Sequence, residues 1–256
     1  MTPDPTPEHN ANPNADPNVD ANDPARMRRE YALAGLDDAQ AGHDPFSLFD
    51  QWFADAVRAN PGPAHEPNAM TLATAQTDPP RDNDNDPALN PAPAIPAMPD
   101  ARIVLLKRFD HAGFVWFTNY HSLKARQLQT NPAAALLWFW PWTERQVRAR
   151  GPVQPVEPQL SDEYFAQRPR DSQLGAWASP QSQPAARDDL EARLAQLERQ
   201  YDGQPIPRPP HWGGYRLTPL EIEFWQGRPS RLHDRLRFLR DQPTPDAPWR
   251  RQRLAP

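Results

Sequence analysis

The clearest helical pattern in the chain lies between residues 45 and 59. Its large apolar side chains recur at helical spacing and share one face: Phe46, Phe49, Trp52, Phe53 and Val57. Pro45 stands at the predicted start and Pro61 follows the predicted end, which are positions that proline favours around a helix. We interpret this segment as an amphipathic helix that packs its aromatic face on a core.

Other helices are predicted from the same periodicity and from capping residues. They cover residues 25–34, a segment from Ser122 through Leu128 that Asn131-Pro132 stops, and residues 160–167, 171–178 and 187–202. The last of these is the most regular, because its apolar residues share one face: Leu190, Leu194, Leu197 and Tyr201.

Short apolar or alternating runs predict strands through most of the remaining chain. These runs are 69–77, 102–109, 113–119, 133–142, 145–156, 213–218, 221–226, 234–240 and, as a last candidate, 249–254. Strands before and after a helical region are typical of an α+β fold with a mostly antiparallel sheet. This many short strands in one domain favour a barrel that closes its own edges.

Prolines concentrate in two segments that lack apolar periodicity. The chain holds 35 prolines among 256 residues, about 14% against a typical ~5%. Residues 1–24 and 78–100 hold thirteen of them, mixed with Asp and Asn. Neither segment could bury enough apolar surface to offset the entropy of ordering. We therefore predict a disordered acidic tail at 1–24 and a single domain at 25–256, with a disordered insertion at 78–100.

The acidic balance of the chain comes from the same two segments. The tail carries a formal charge of −5 and the insertion −4, whereas the whole chain carries −5. The remaining residues therefore sum to +4, which suits small anionic ligands. No long run of Lys or Arg indicates a nucleic acid partner.

Several common classes of chemistry have no signal in this sequence. The chain has no cysteine for disulfide or thiol chemistry, and its seven histidines show no metal-ligand spacing. The usual phosphate-loop, zinc-protease and serine-hydrolase motifs are missing. No apolar run approaches the roughly 18 residues of a membrane span, and the N-terminus lacks the parts of a signal peptide. We expect a soluble cytoplasmic protein without a metal.

Lysine is scarce enough to single out two positions. Of 28 basic residues, 26 are Arg, and the two lysines are Lys107 and Lys124. Two interpretations stay open at this point. Either the composition is biased towards arginine, or both positions need a compact ammonium that a guanidinium does not reproduce.

Cations and hydroxyls also gather at predicted strand and helix ends, where backbone N–H groups favour anions. Three such groups occur: Thr118, Ser122 and Lys124; Tyr164, Arg168, Arg170 and Ser172; and Arg231, His233 and Arg235. Each group alone is typical of a solvated surface. The three together favour a site for two phosphorylated ligands.

Nine segments spread over the chain carry a family resemblance. They are RREY (28–31), RIVLLK (102–107), FTN and SLKA (117–125), ERQVRARG (144–151), YFAQRPRDSQLGAWAS (164–179), QS (181–182), WGGYRL (212–217) and EFWQGRPSRLHDR (223–235). With these segments the chain resembles the pyridoxamine 5'-phosphate oxidase family, from about residue 25 to the end and without the insertion.

The resemblance implies an FMN-binding split β-barrel with peripheral helices, in a homodimer with FMN at the subunit interface. It implies oxidation of pyridoxamine 5'-phosphate and pyridoxine 5'-phosphate to pyridoxal 5'-phosphate, in vitamin B6 biosynthesis and salvage. Oxygen would be the electron acceptor and hydrogen peroxide a product.

The resemblance also implies roles for individual residues. Expected at FMN are Arg102, Ile103, Val104, Leu105, Leu106, Lys107, Phe117, Thr118, Lys124, Gln146, Gln181, Ser182, Trp225 and Arg235, with Gln181 and Ser182 from the other subunit. Expected at the substrate are Arg28, Arg29, Glu30, Tyr31, Lys107, Tyr164, Arg168, Ser172, Arg231, Leu232 and His233. Arg231 and His233 are the expected catalytic residues. Both lysines fall at phosphate positions, which favours the functional interpretation of their scarcity.

Two positions depart from the family pattern. Many relatives carry Ser-Arg-Lys where this chain has Ser122-Leu123-Lys124, so one cation near the FMN phosphate is missing. Arg126, one helical turn from Ser122, is a candidate replacement. Phe117 stands where relatives often carry Tyr, which removes a hydroxyl.

Two other functions remain open beside the oxidase. One is a flavin oxidase of the same fold that acts on a different ring, such as a phenazine precursor. The other is a carrier that binds pyridoxal 5'-phosphate or FMN without catalysis. A phosphate-binding group at Tyr164, Arg168 and Ser172 argues against the first, and the Arg231/His233 pair argues against the second.

Overall fold

The helices and strands belong to the part of the chain that a computed structural model describes: residues 31, 33, 35–59, 62, 65–76 and 97–256. The predicted tail, the expected substrate-binding residues Arg28, Arg29 and Glu30, and most of the predicted insertion lie outside these residues. The predicted helix over 25–34 also falls largely outside them, and the two described positions, Tyr31 and Leu33, are not helical.

Six α-helices and ten β-strands order the described residues. The helices are α1 (Asp38–Ala41), α2 (Pro45–Arg58), α3 (Leu123–Thr130), α4 (Pro158–Ala166), α5 (Arg170–Ala178) and α6 (Arg187–Gln200). The strands are β1 (Ala69–Gln76), β2 (Met98–Leu105), β3 (Arg108–Asp110), β4 (Gly113–Asn119), β5 (Ala133–Trp140), β6 (Arg145–Pro155), β7 (Trp212–Leu217), β8 (Glu221–Gln226), β9 (Asp234–Leu239) and β10 (Arg250–Leu254). A short 3₁₀ turn covers Pro229–Arg231. Except around β2 and β3, the predicted strands are confirmed within two residues.

The predicted strand over 102–109 is wrong at both ends, and so is the predicted end of the insertion at 100. β2 begins at Met98, because Met98 already pairs with Gln76 of β1. It stops after Leu105: Leu106 N–H still donates to Asn68 O (2.8 Å) in the same register, but Lys107 N–H donates to Val115 O of β4 (2.9 Å). This break turns the chain from β1 towards β4.

The strands form one antiparallel system that bends back on itself. Its main path runs β10-β9-β8-β6-β5-β1-β2. β6 is long enough to pair with three strands: with β5 over most of its length, with β8 in its first half, and with β7 at its last three residues, 153–155. β7 then continues the sheet through β4 to β3. The predicted α+β class with a mostly antiparallel sheet is confirmed.

The core lies between this sheet and α2. Alternation along β6 buries Val147 and Ala149 and turns Arg148 away from the core. From α2, Phe49 meets the rings of Phe114 and Trp138, each with centroids 4.9 Å apart. The predicted role of α2 is therefore confirmed, although Val57 lies about half exposed at the end of the helix.

A second, smaller core joins the helices α4, α5 and α6 to the start of β7. Its buried members are Phe165, Leu174, Ala178, Leu197, Ile206 and Trp212. Tyr164 and Phe117 pack on its edge. This core holds α4 and α5 opposite β2 and β4, and so forms one wall of a cavity between these elements.

Candidate active site

A cavity of about 660 Å³ lies between β2, β4, the start of α3 and the helices α4 and α5. This volume is in the range typical of small-molecule sites, roughly 300–1,000 Å³. Twelve residues expected at FMN or substrate line it: Arg102, Ile103, Val104, Leu105, Lys107, Phe117, Thr118, Lys124, Tyr164, Arg168, Ser172 and Gln181. The fold therefore brings together residues that are up to 79 positions apart in the sequence.

Lys124 stands at the α3 end of the cavity among three oxygen atoms. Its Nζ lies 3.3 Å from Thr118 Oγ1, 3.5 Å from Ser122 Oγ and 3.4 Å from Gln181 Oε1. Burial lowers the pKa of Lys124, the nearby charge of Arg102 lowers it further, and Asp100 raises it. A desolvated ammonium with a second cation nearby favours a bound anion, because an anion relieves their repulsion.

Ser122 occupies the predicted start of α3 but does not cap it with its side chain. The hydroxyl, fully buried, accepts from Lys124 instead. The first N–H groups of α3 therefore remain available near the lysine, as suits an anion site at a helix N-terminus.

Three stacked rings line the opposite part of the cavity. Phe117 lies 4.2 Å from the ring of Tyr164 and 5.4 Å from that of Trp212, nearly parallel to both. Gly214 makes the close packing of Phe117 possible, because a Cβ there would come within 2.8 Å of its ring. Trp212 was not among the expected site residues, although WGGYRL is part of the family resemblance.

Arg168 is held against this aromatic wall. Its guanidinium lies 4.7 Å from the Trp212 ring and 5.7 Å from the Phe165 ring. Burial lowers the pKa of Arg168. Its Nη1 is buried and has no hydrogen-bond partner among the described residues. A buried N–H without a partner is costly, and Arg168 also lines the cavity, so an anion bound beside it would offset that cost.

Lys107 reaches the same wall from the break after β2, with Nζ 5.9 Å from the Tyr164 ring. Ser172 lines the cavity from α5. Arg170, the remaining member of this predicted group, turns away and donates to the carbonyl oxygens of Gln204 and Tyr201. The second predicted cation group therefore comes together without Arg170.

Gln146, Trp225 and Arg235 form a separate row on the sheet face that points away from the core. They are direct neighbours on β6, β8 and β9, because Gln146 pairs with Trp225 and Trp225 with Arg235. Arg235 Nε donates to Glu223 Oε1 (2.8 Å), which raises the pKa of Arg235. None of the three lines the cavity of its own chain.

His233 lies beside this row in a cluster of rings. Its ring centroid is 4.7 Å from that of Trp225 and 5.5 Å from that of Tyr31. The backbone N–H of Arg228 donates to His233 Nδ1 (3.1 Å), so the neutral imidazole carries its proton on Nε2. Gly227 makes room for Tyr31, because a Cβ there would lie 2.5 Å from the ring.

Arg231 and Leu232 leave the sheet in an unusual turn. Ser230 and Arg231 both have positive φ, 57° and 60°, a conformation that costs a residue other than glycine roughly 1–3 kcal/mol. Leu232 is exposed, with 65% of its surface accessible. Strain of this kind is found where a site needs a particular presentation of a side chain.

Four expectations differ from the structure or meet no support in it. Gln181 was expected from the other subunit, yet Gln181 of the same chain contacts Thr118 and Lys124. Leu106 faces the core and is buried. Ser182, with a φ of 66°, does not line the cavity of its own chain, and its expected contact with the FMN site of the other subunit stays a prediction. Arg126 does not take the place of the missing cation, because it donates to His121 O.

Comparison with known proteins places this arrangement in a family. The family model described as pyridoxamine 5'-phosphate oxidase matches residues 57–201, more than half of the chain. The model described as the pyridoxine 5'-phosphate oxidase C-terminal dimerisation region matches residues 212–256. The chain belongs to the pyridoxamine 5'-phosphate oxidase family. The resemblance noted in the sequence is thus confirmed, and with it membership of a family of oxidoreductases.

Curated relatives match this chain over almost the whole length of both proteins. The pyridoxine/pyridoxamine 5'-phosphate oxidase of Rubrobacter xylanophilus is 51% identical over 235 residues, which are 91% of this chain and 97% of the relative. That of Pseudomonas paraeruginosa is 52% identical over 233 residues, which are 91% of this chain and 98% of the relative.

Solved structures show the same fold. PhzG from Burkholderia lata, in complex with tetrahydrophenazine-1-carboxylic acid, superposes with a TM-score of 0.74 at 29% identity and covers 89% of this chain and all of that one. An FMN-binding protein from Nostoc punctiforme related to pyridoxamine 5'-phosphate oxidase superposes with a TM-score of 0.61 at 17% identity and covers 81% of this chain and 97% of that one. The predicted FMN-binding split-barrel fold is confirmed.

Two further features are missing from the described part of the chain. No helix there is long and apolar enough to cross a membrane. Nor does that part contain a group of three or more His, Asp or Glu side chains that could hold a metal ion.

Proposed function

We propose that this protein uses FMN to oxidise pyridoxamine 5'-phosphate and pyridoxine 5'-phosphate to pyridoxal 5'-phosphate, with oxygen as electron acceptor and hydrogen peroxide as product. The observation that carries this proposal is that one cavity holds two separate cation groups. Lys124 and Arg102 stand at the α3 end, and Lys107 and Arg168 stand at the aromatic wall. Two phosphorylated ligands need two such groups.

The chemistry of the cavity fits FMN. Lys124, Thr118 and the start of α3 would hold its phosphate, and Phe117 would pack beside its apolar ring. In the described chain β2 pairs with a strand on one side only, so the peptide groups of its other edge can serve the polar edge of the flavin. When bound, FMN would supply the hydride acceptor for the carbon that becomes the aldehyde.

The substrate phosphate would bind Lys107, Tyr164, Arg168 and Ser172. Held there, the pyridine ring is fixed in orientation relative to the cofactor, which lowers the entropic part of the barrier. Arg231 and His233 would act on the ring from the opposite side. His233 can donate from Nε2, because Nδ1 accepts from Arg228, and so can hold or move a proton at the substrate.

A homodimer would bring these two halves together. Gln146, Trp225, Arg235 and His233 do not line the cavity of their own chain, whereas they lie on a sheet face with large exposed apolar residues. Ile103 is 63% exposed and Phe139 52%. The match of residues 212–256 to a dimerisation region supports a second copy on this face, with each subunit completing the FMN and substrate sites of the other.

One assay tests this function against the alternatives. The purified protein is examined for a flavin spectrum, then given pyridoxine 5'-phosphate in air while pyridoxal 5'-phosphate and peroxide are followed. Bound flavin without product would contradict the oxidase function and favour a carrier. Turnover of an unphosphorylated phenazine precursor in place of the B6 phosphates would favour the second oxidase function, which the PhzG likeness suggests and which the phosphate-binding group at Arg168 opposes.

A further inference from the structure

A buried polar cluster lies directly behind the wall of the cavity, at Arg102. Arg102 Nη1 donates to Thr74 Oγ1 (2.6 Å) and to Leu72 O (3.2 Å). Its Nη2 donates to Gln127 Oε1 (3.0 Å) and to the Asp100 carboxylate. The cluster closes on itself, because Thr74 Oγ1 donates to Gln127 Oε1 (2.5 Å) and Gln127 Nε2 to Asp100 Oδ2 (3.3 Å).

Thr74 and Gln127 are almost completely buried, with 3% and 4% of their surfaces exposed. A buried amide and hydroxyl stabilise a fold little compared with apolar side chains of the same shape, because their hydrogen bonds with water are lost on burial. The hydrophobic core would accept valine or leucine at such positions. Their polar groups are therefore better explained by what they hold, the guanidinium of Arg102.

The cluster leaves Arg102 one orientation. All four N–H bonds of its two terminal nitrogens point to protein acceptors, and only about a fifth of the side chain is exposed. Arg102, which lines the cavity, is therefore held there in one fixed position, with its charge partly balanced by Asp100. Arg102 and Lys124 both line this part of the cavity, and the charge of Arg102 lowers the pKa of Lys124.

We propose that Thr74 and Gln127 are positioning residues that fix the guanidinium of Arg102 beside Lys124 and so determine the affinity for the phosphate of FMN. This inference rests on the FMN site proposed above. In a chain with Leu123 where many relatives carry arginine, a pre-set Arg102 is the second cation at that phosphate. Fixing it in advance removes the entropy cost that a mobile side chain would incur on binding.

The consequence is a difference between two flavins. FMN carries the phosphate and riboflavin does not, while their ring systems are identical. Loss of the Thr74 hydroxyl or the Gln127 amide should weaken the binding of FMN and leave the binding of riboflavin unchanged. If these side chains served only folding, their substitution would weaken the binding of both flavins alike, since it would disturb the whole cavity.

The test titrates both flavins into the full-length protein after the bound flavin is removed, with flavin fluorescence as readout. Thr74→Val removes the hydroxyl at almost constant shape, and Gln127→Leu removes the amide. For each variant we expect the FMN Kd to rise about tenfold, the change expected for loss of ~1.4 kcal/mol, and the riboflavin Kd to change less than about twofold. Thr74→Ser keeps the hydroxyl and should restore FMN affinity.

Gln129→Leu is the matched control, because Gln129 lies two residues further on α3 and is exposed. It should change neither affinity. Should Gln127→Leu fail to fold, the Val and Ser variants of Thr74 still decide the question. In an Arg102→Met background, Thr74→Val should add nothing further to the FMN Kd if it acts through Arg102.

Two results would overturn the inference alone: unchanged FMN affinity in Thr74→Val, or equal weakening of FMN and riboflavin. Failure of the unsubstituted protein to bind either flavin would overturn the proposed function and this inference with it. Binding of both flavins with equal affinity by the unsubstituted protein would overturn the phosphate role of Arg102 while leaving a flavin site in place.

Discussion

Replacing Arg168 with methionine should separate substrate binding from stability. In the ligand-free protein the buried Nη1 without a partner costs about 1–3 kcal/mol. The stacking of the guanidinium on Trp212 returns about 0.5–2 kcal/mol. The two contributions nearly cancel, and methionine keeps most of the packing on the ring. Stability should therefore change by about 1 kcal/mol or less, which is about 2–4 °C in Tm for a domain of this size.

The effect on the substrate should be much larger. A charge-assisted hydrogen bond to a phosphate contributes about 1.5–3 kcal/mol, which corresponds to roughly 10- to 150-fold in affinity. We expect KM for pyridoxine 5'-phosphate to rise by this factor in Arg168→Met, while the Kd for FMN stays the same. The assay follows pyridoxal 5'-phosphate formation against substrate concentration, with thermal unfolding and flavin titration of the same preparations.

Arg170→Met is the control for this experiment, because Arg170 belongs to the same sequence segment but bonds the carbonyls of Gln204 and Tyr201 outside the cavity. Its KM should match that of the unsubstituted protein. An unchanged KM in Arg168→Met, or a fall in Tm of more than about 8 °C, would refute the reasoning, since Arg168 would then serve the fold rather than the ligand.

Three further predictions concern other parts of the molecule. Burial, and secondarily the charge of Tyr120, raises the pKa of Tyr215 to about 12; its neutral form is favoured in the folded state, so stability falls as pH rises from about 10 to 12. Tyr215→Phe should not lose stability in this way. The difference in free energy of unfolding between the variant and the unsubstituted protein, measured with urea, should therefore grow by about 2–3 kcal/mol over that interval. A difference that stays constant with pH would contradict this prediction. Phe139→Glu should shift the mass in solution from dimer towards monomer by light scattering, and a persistent dimer would argue against the proposed interface. Glu144→Ala should speed amide exchange at Leu33, whose N–H donates to Glu144 Oε2 (3.1 Å); unchanged protection would show that this bond does not hold the segment.

The strands could be predicted where one face is buried and the other is not. In β6, apolar Val147 and Ala149 alternate with arginines, and the alternation alone indicates a half-buried strand. β2 was harder to place, because its first residues continue the proline- and aspartate-rich composition of the segment before it. Pro99 is tolerated there since β2 lies at the edge of the described sheet, and the edge position is a property of the fold rather than of the local sequence.

The site was predictable to the extent that its residues lie in family segments. The sequence could not predict which of these residues share a cavity, because this depends on strand register. Gln146 and Trp225, for example, meet through the pairing of β6 with β8, on a different surface from Lys124. Gln127 was missed, since a polar residue on a short polar helix normally faces solvent, and Thr74 was missed because threonine is common in strands such as β1. One signal could have found Gln127, namely its position three residues after Lys124 on the same helical face.

The hairpin between β1 and β2 has a consequence for how this chain tolerates change. Gln76 and Met98 stand directly opposite each other, so the strands fix where the connecting segment leaves and returns, whatever its length. Doubling such a connection costs only about 0.6 kcal/mol in closure entropy. The cavity-lining part of β2 begins beyond it, at Arg102. This connection is therefore a suitable insertion site, where a foreign peptide or reporter domain could be inserted while the flavin pocket keeps its shape.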